Sequence, residues 1–277
     1  MDLDSNRKNE LRVHIEEIMI PIGQCTGVKP GPVSPEIVSL LEKNNYNQAV
    51  VLDSNNVFLG GITRKRLRQL SDAGQPLLDD DPEIKVTKID FHCPFAELLD
   101  LLSANYFAFA FGKYDEDSES VLGLVTISDL NKHYVRTLVY GVLFRLEMLL
   151  AQFIKNSVSD HMEWINRMDD NSKKRILDYW ELAKKRNVDV GPIVACNLAD
   201  LFNIIGKDKE LLDKLGFSSR NQLGNATSGI PNLRNMIMHP VRPLVTEIDE
   251  IITLKETVGN LVNLIGLLEG LREKGAF

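Results

Sequence analysis

The sequence predicts an α+β N-terminal half that contains two copies of one unit, followed by an all-α helical bundle. The segment Leu59–Leu67 (LGGITRKRL) returns 63 positions later as Leu122–Leu130 (LGLVTISDL), with the first Leu, the Gly, the Thr and the last Leu in matching places. After about Ser128, strand-like runs give way to apolar residues at helical spacing. An internal repeat of this kind predicts two half-domains that bury their apolar faces against each other.

Each copy follows the same order of predicted elements. The predicted helices are Ile37–Lys43 and Phe95–Leu102, and the apolar runs after them are Ala49–Leu52 and Phe107–Phe111. A polar turn, Asp53–Asn56, predicts a hairpin in the first copy, and the corresponding turn of the second copy, Tyr114–Ser120, is longer and acidic. The unit is therefore helix–strand–turn–strand–helix.

Thr63 and Thr126 occupy the same place in the two copies, where a strand ends and a helix begins. Free backbone N–H groups and the helix dipole favour an anion at such a junction. A hydroxyl there can cap the helix or hold a phosphate.

These features resemble a pair of CBS domains, whose hallmark is a strand ending in Gly-apolar-apolar-Thr-x-x-Asp-Leu. The resemblance covers residues 12–135, in two parts of about 12–72 and 82–135. The second copy matches the hallmark in full, with Asp129 three residues after Thr126. The first copy departs from it, because Arg66 stands where the family has an aspartate.

The resemblance implies a regulatory adenine nucleotide (AMP, ADP or ATP) rather than a required cofactor. Thr126 would then contact phosphate or ribose, and Asp129 would accept the ribose hydroxyls. In the other half-site, Thr63 would be joined by Arg66, which cannot accept hydroxyl protons and either binds phosphate or leaves the site empty. A second interpretation remains open, in which both threonines only cap helices and Asp129 only complements the helix dipole.

The second half of the chain shows helical patterns only. The predicted helices are Val139–Ile154, a segment capped by Asn171 or Ser172 that runs to Arg186, Cys196–Ile205, Glu210–Leu215 and Glu247–Arg272. They predict a bundle of four or five helices. The stretch Leu130–Leu138 has no Gly or Pro, so we expect the last helix of the repeats to continue into the bundle.

Before the last helix lies the segment Gly229–Pro240 (GIPNLRNMIMHP). Pro231 suits a first helical turn, and Pro240 disfavours helical geometry at His239 and so ends the helix there. Asn235 and His239 are four apart and share a face, and the long side chain of Arg234 can reach the same place.

This segment resembles the Arg-x4-6-His motif of HEPN domains, which are all-α dimerising domains of many ribonucleases and toxins. We assign the resemblance to residues 136–277. It implies a homodimer that cleaves RNA without a metal, by attack of the 2′-hydroxyl on the adjacent phosphorus, in a stress or defence setting. His239 would be the acid/base, Arg234 would stabilise the phosphorane, and Asn235 would orient one of them.

Other interpretations of the second half stay open. Arg234 and His239 can instead hold a dimer interface in a non-catalytic sensor, whose helical domain serves dimerisation or partner binding. A helical domain associated with a nucleotidyltransferase is a third possibility. Arg7 and His14 also fit the loose spacing, but they lie in or beside the polar tail at residues 1–11. Glu147, on an apolar helix face, either pairs with a cation such as Arg234 or points to solvent.

Charge and composition narrow the function classes. Residues 1–135 hold 13 Lys and Arg against 21 Asp and Glu, whereas residues 136–277 hold 19 against 18. The acidic first half argues against indiscriminate binding of nucleic acid by that half. The Cys and His residues lack the spacing of a disulfide framework or a metal site, so no metal is expected.

No membrane association is expected. The first ten residues are polar, and the most apolar stretch, Leu138–Ile154, is interrupted by Arg145 and Glu147. The sequence therefore predicts a cytoplasmic protein, and the two resemblances together imply that a ligand-sensing CBS pair regulates a dimeric HEPN-type ribonuclease.

Overall fold

The computed structural model describes residues 11–115, 118–275 and 277 of the chain. It divides into two compact units, an N-terminal unit of residues 12–132 and a helical unit of residues 133–277 with Leu11. Residues 1–10, which hold most of the predicted polar tail and Arg7, lie outside the described residues.

The N-terminal unit contains all the described strands. They are β1 (Arg12–His14), β2 (Ile20–Pro21), β3 (Gly27–Val28), β4 (Gly31–Pro32), β5 (Gln48–Leu52), β6 (Phe58–Thr63), β7 (Pro76–Leu77), β8 (Lys88–Ile89), β9 (His92–Pro94), β10 (Phe107–Asp115) and β11 (Ser118–Thr126). Its α-helices are α1 (Pro35–Lys43), α2 (Arg64–Asp72) and α3 (Phe95–Asn105).

The two repeats share one topology. In the first, β3 pairs in parallel with β5, α1 lies between them in the chain, and β5 forms an antiparallel hairpin with β6. In the second, β8 pairs in parallel with β10, which forms an antiparallel hairpin with β11. The predicted order of helix, strand, turn and strand is confirmed in both copies.

The glycine that matches between the copies has the same physical role in each. A Cβ at Gly60 would lie 3.0 Å from the Lys85 carbonyl oxygen, and a Cβ at Gly123 would lie 2.8 Å from the Ile20 carbonyl oxygen. A neighbouring backbone therefore approaches each hairpin too closely for any side chain at that position.

The cores of the repeats meet through apolar residues. Leu41, Val51, Ile62 and Leu67 are fully buried within the first repeat. A second cluster joins Val50 of β5 to three residues of the other repeat, Phe107, Phe109 and Leu124. The expectation that the repeats bury their faces against each other is confirmed.

The predicted element that closes the second repeat is partly wrong. Thr126 leads into a five-residue 3₁₀ helix, Ile127–Asn131, and Lys132 is then extended (φ −62°, ψ 150°). The Lys132 ammonium binds both Asp129 and the Ile18 carbonyl oxygen. No helix therefore continues from the repeat into the bundle, although the sequence carries no Gly or Pro to mark the break.

The acidic turn of the second repeat is also shorter than predicted. Strand β10 extends to Asp115 and β11 begins at Ser118, so most of the predicted turn 114–120 is strand, and residues 116–117 lie outside the described residues. In the first repeat the predicted turn is confirmed, with the Asp53 carboxylate accepting hydrogen bonds from the Asn55 and Val57 amides.

The helical unit is all-α, as predicted. Its α-helices are α4 (His133–Ser157), α5 (His161–Ile165), α6 (Asp170–Lys185), α7 (Leu198–Gly206), α8 (Lys209–Lys214), α9 (Arg220–Ala226), α10 (Ile230–Met238) and α11 (Ile248–Glu273). The described part of this unit thus has eight helices instead of four or five. The segment Gly229–Pro240 supplies α10, and α5 and α9, which were not predicted, are too short for a full apolar period. The cap of α6 is Asp169, whose carboxylate accepts from the Ser172 amide, and not Asn171 or Ser172.

Two long helices frame the unit, and α10 packs against both of them. By length and composition alone, α4 and α11 are apolar enough to cross a membrane, a test that core helices of soluble proteins also pass. They pack against each other and bury leucine, isoleucine and valine side chains between them and their neighbours.

Candidate functional site

A cavity of about 830 Å³ lies within the N-terminal unit, and both repeats contribute to its wall. Pockets for small molecules and cofactors span about 300–1,000 Å³. The wall is formed by the segments that follow α1 and α3, by the two strand-to-helix junctions, and by parts of the residues 20–26 and 83–85.

The strand register explains why matching segments of the repeats meet here. Gln48 pairs with Thr63 in the first hairpin, and Phe107 pairs with Thr126 in the second. Each hairpin therefore places the residues after its helix beside its threonine. A tyrosine lies in each of these segments, Tyr46 and Tyr106, and both are exposed and line the cavity.

Thr126 and Asp129 both line the cavity and are nearly buried. One carboxylate oxygen of Asp129 accepts from the Thr126 amide at 2.7 Å and from its hydroxyl at 2.8 Å. The other oxygen pairs with the Lys132 ammonium at 2.8 Å. Asp129 can therefore bind the start of the helix and line the cavity at the same time. Its carboxylate keeps acceptor capacity beyond these three bonds.

The first half-site differs from its prediction at Arg66. Thr63 lines the cavity and accepts a hydrogen bond from the Arg66 amide at 3.2 Å. The Arg66 guanidinium is not part of the cavity wall, because it pairs with the Asp81 carboxylate at 2.8 Å. This hydrogen bond lowers the pKa of Asp81. The structure therefore does not bring Arg66 to the candidate site.

Four other basic residues line the cavity, and the sequence analysis did not single them out: Arg64, Lys65, Arg68 and Lys85. The signal in the sequence for Arg64, Lys65 and Arg68 is the cluster of basic residues in the first part of α2, where cations oppose the helix dipole and an anion would be favoured. Lys85 lies outside this cluster. Arg64 donates to the Asn47 side chain at 2.9 Å, and Arg68 pairs with Glu42. Lys65 and Lys85 are exposed, and within the described part of the chain their ammonium groups have no partner.

Cys25 also lines the cavity, but it is a poor nucleophile. Its thiol donates weakly to the Pro21 carbonyl oxygen at 3.6 Å. Burial, with a smaller contribution from the Asp129 charge, raises the pKa of Cys25 to about 11. The thiol is therefore protonated at neutral pH, which favours a binding cavity over covalent chemistry at this cysteine.

The second candidate region is the end of α10. Pro231 lies in the first turn and the helix ends at Met238, with His239 in a non-helical conformation (φ −114°, ψ 80°), as the two prolines predicted. Asn235 and His239 are exposed, and Arg234 is half-buried. All three predicted residues therefore lie on one short helix and its first following residue.

Two residues of α4 support this segment. The Arg234 Nε lies 3.8 Å from the Glu147 Oε1, an oxygen that is shielded from solvent and has no hydrogen bond among the described residues. Of the two interpretations of Glu147, pairing with Arg234 is confirmed. Arg136, which the sequence analysis missed, is buried and donates to the carbonyl oxygens of Met236, at 2.9 Å, and Arg242. It thereby fixes the backbone on both sides of His239.

Comparison with known proteins gives structural similarity only. No family model matches the chain, and no curated protein matches it. Several of the structures that it resembles are described as CBS-domain proteins. A hemolysin-like protein containing a CBS domain from Oenococcus oeni PSU is 11% identical, with 47% of this chain and 94% of that chain covered and a TM-score of 0.36.

Two further similar structures contain nucleotides. CbpB in complex with c-di-AMP is 15% identical, with 50% of this chain and 95% of that chain covered and a TM-score of 0.36. The CBS domain of a bacterial CNNM/CorC family Mg²⁺ transporter, in complex with ATP, is 17% identical, with 47% of this chain and 92% of that chain covered and a TM-score of 0.35.

Among the described residues of this chain, no group of His, Cys, Asp and Glu is arranged to hold a metal ion.

Proposed function

We propose that the N-terminal unit is a tandem CBS pair that binds an adenine nucleotide in the 830 Å³ cavity and acts as a ligand sensor. The observation that supports this most directly is that equivalent segments of both repeats, including Thr63 and Thr126, line one cavity. The adenine class is the one that the CBS resemblance of the sequence implies.

The cavity offers the contacts that a nucleotide needs. Hydroxyls and backbone amides at the strand-to-helix junctions suit phosphate oxygens. The exposed rings of Tyr46 and Tyr106 suit a base, since aromatic rings stack on bases of any sequence. Basic side chains in the wall complement the negative charge of the phosphates.

The test is isothermal titration of the full chain with AMP, ADP and ATP. We expect at least one of them to bind, and Thr126→Val and Thr63→Val to weaken that binding. Thr253→Val is the matched control, because Thr253 is an exposed helical threonine of the other unit whose hydroxyl donates to a backbone carbonyl. The absence of binding for all three nucleotides, in a folded protein, would contradict the proposal.

We further propose that the helical unit is a HEPN-type domain that acts, as a homodimer, as a metal-independent endoribonuclease under control of the nucleotide. The supporting observation is that Arg234, Asn235 and His239 lie on one short helix and its first following residue, with Asn235 and His239 exposed and Arg234 in an ion pair of 3.8 Å with Glu147. In this proposal His239 removes the proton of a 2′-hydroxyl, whose oxygen attacks the adjacent phosphorus. The 5′ oxygen leaves with a proton, and the products are a cyclic phosphate and a 5′-hydroxyl.

The same residues have distinct tasks in that reaction. The Arg234 guanidinium stabilises the extra negative charge of the phosphorane, because a fixed cation is most effective where charge develops. Asn235 orients either the His239 imidazole or the Arg234 guanidinium. Because a histidine titrates near neutrality, it can serve as base and then as acid.

RNA cleavage in the presence of a chelator tests this second proposal. We expect cleavage by the unmodified chain, loss of cleavage in His239→Ala, and full activity in His133→Ala, which removes another exposed histidine of the same unit. Light scattering should report the mass of a dimer. Equal products from the unmodified chain and His239→Ala would refute catalysis and leave the non-catalytic sensor, whose helical unit serves dimerisation or partner binding.

A further inference from the structure

We propose that the cavity has a phosphate end formed around the first repeat and a nucleoside end formed by the second, so that the protein discriminates nucleotides by their number of phosphates. This inference rests on the proposed nucleotide binding. It goes further because it assigns an orientation to the ligand and predicts a preference for ATP over AMP.

The phosphate end is defined by where the positive charge lies. The four basic residues of the cavity wall all belong to the first repeat or to the segment that follows it. Lys85 belongs with them, because its backbone exchanges two hydrogen bonds of 2.9 Å with Gly61, two residues before Thr63. Among the described residues, Glu83 is the one carboxylate that lines this end, so the end carries a clear excess of positive charge.

The start of α2 adds to this argument. Arg64, Lys65 and Arg66 all lie in its first turn, where the positive end of the helix dipole disfavours cations. Arg66 is compensated by Asp81, but the ammonium of Lys65 has no such partner within the described residues. An anionic ligand in the cavity would relieve this unfavourable arrangement.

The nucleoside end is defined by the lack of cations among its described wall residues. The second repeat contributes Asn105, Tyr106, Phe107, Leu124, Thr126, Ile127, Ser128 and Asp129 to the cavity wall. None of these residues is basic, and the carboxylate of Asp129 pairs with Lys132, which does not line the cavity. A phosphate here would meet no cation of the wall, whereas a ribose and base would meet acceptors and rings.

Tyr106 carries an independent sign of function at this end. It adopts a left-handed conformation (φ 63°, ψ −26°), which is rare for a bulky side chain, and it is 58% exposed. In the first repeat, the left-handed residue after the helix is Asn45, a residue type that tolerates this geometry. Because the exposed Tyr106 ring is not explained by packing, its position in the cavity wall points to stacking on a bound base.

The experiment compares the affinities of AMP, ADP and ATP for the full chain and for variants of each end. For the unmodified chain we expect ATP to bind about tenfold tighter than AMP, since partly exposed charge pairs each contribute modestly. In Lys65→Ala/Lys85→Ala this ratio should fall to about twofold, with AMP affected little. Lys43→Ala is the matched control, because it removes an exposed lysine of the same unit that does not line the cavity.

Tyr106→Asn tests the other end. Asparagine tolerates the left-handed conformation, so the fold should be retained. We expect this variant to weaken AMP and ATP by the same factor and to leave their ratio unchanged.

Each outcome separates the two proposals. Nucleotides that bind with similar affinities, or a ratio that Lys65→Ala/Lys85→Ala leaves unchanged, would overturn the inferred orientation while nucleotide binding stands. Tighter binding of c-di-AMP than of ATP would overturn it as well, because a dinucleotide places a base at both ends. Failure of every nucleotide to bind would instead refute the proposed function itself.

Discussion

Arg66 and Asp81 show how a side chain at a motif position can serve the fold instead of the ligand. Arg66 follows Thr63 at the spacing of the motif's aspartate, yet its guanidinium reaches Asp81, whose side chain is 4% exposed. The Glu83 amide donates to the same carboxylate at 3.0 Å. A carboxylate so enclosed is stable as an anion mainly because Arg66 is present.

We therefore expect Arg66→Met to lower the melting temperature at pH 7, with the difference shrinking as the pH falls. The pKa of Asp81 is lowered in the folded state, so its stabilising effect is present above the usual aspartate pKa of about 4 and is lost as the pH falls through the lower folded value. Melting curves between pH 7 and pH 2.5 measure this, with Lys43→Met as a control for charge. A decrease in melting temperature that is equal at pH 7 and at pH 2.5 would contradict this expectation.

Cys25 permits a second prediction at the residue scale. Since burial raises the pKa of this thiol to about 11, its thiolate fraction at pH 8 should be about a hundredfold below that of an ordinary cysteine. Alkylation followed by mass spectrometry should be slow at pH 8 and accelerate up to about pH 11, and bound nucleotide should slow it further because Cys25 lines the cavity. Cys25→Ser identifies the part of the alkylation that occurs at Cys25. If the alkylation rate at Cys25 stops rising near pH 9, its pKa is not raised.

At the scale of elements, the start of α10 depends on one backbone conformation. Gly229 is left-handed (φ 79°, ψ −26°), and a Cβ there would overlap the side chain of Thr257, a buried residue of α11. Gly141, in the middle of α4, is exposed and has open space around its Cα. Gly229 and Gly141 should therefore respond to substitution in opposite ways.

We expect Gly229→Ala to destabilise the protein by about 1–3 kcal/mol, because both the backbone conformation and the contact with α11 are violated. Gly141→Ala should stabilise it by about 0.5–1 kcal/mol, because alanine restricts the unfolded chain and suits a helix. Denaturant unfolding of the helical unit within the full chain measures both changes. Shifts of the same sign would show that the packing between α10 and α11 is misassigned.

At the scale of the whole molecule, the chain passes from one unit to the other at an extended residue, Lys132, and not through a continuous helix. The proposed control of the helical unit by a nucleotide therefore requires a route other than a continuous helix. Coupling between sites is established only when both bias one structural equilibrium.

Hydrogen exchange provides the corresponding prediction. If the nucleotide regulates the helical unit, saturating ATP should change amide protection in α10 as well as around Thr63 and Thr126. Nucleotide at a hundred times its Kd stabilises the state that binds it by about 2.7 kcal/mol, which is ample for detection. Protection limited to residues 12–132 would rule out the regulatory coupling, and Thr126→Val should lose the effect in both units.

The sequence by itself determined the repeat, the order of strands and helices within it, the all-α character of the second half, and the end of α10 at His239. These features depend on periodicity, turn residues and prolines, which act over a few neighbouring residues. They were visible without knowledge of any distant contact. The number of helices was wrong because α5 and α9 are too short to show a complete apolar period.

Only the tertiary structure decided which side chains meet. It brought Thr63 and Thr126 to one cavity. The wall of that cavity contains Lys65 and Lys85 and not the predicted Arg66. Arg136 binds a carbonyl oxygen 100 residues away. It also interrupted the predicted continuous helix at Lys132, whose ammonium binds Asp129 and a backbone carbonyl. Such partnerships join residues far apart in sequence, so they are fixed by packing and not by any local pattern.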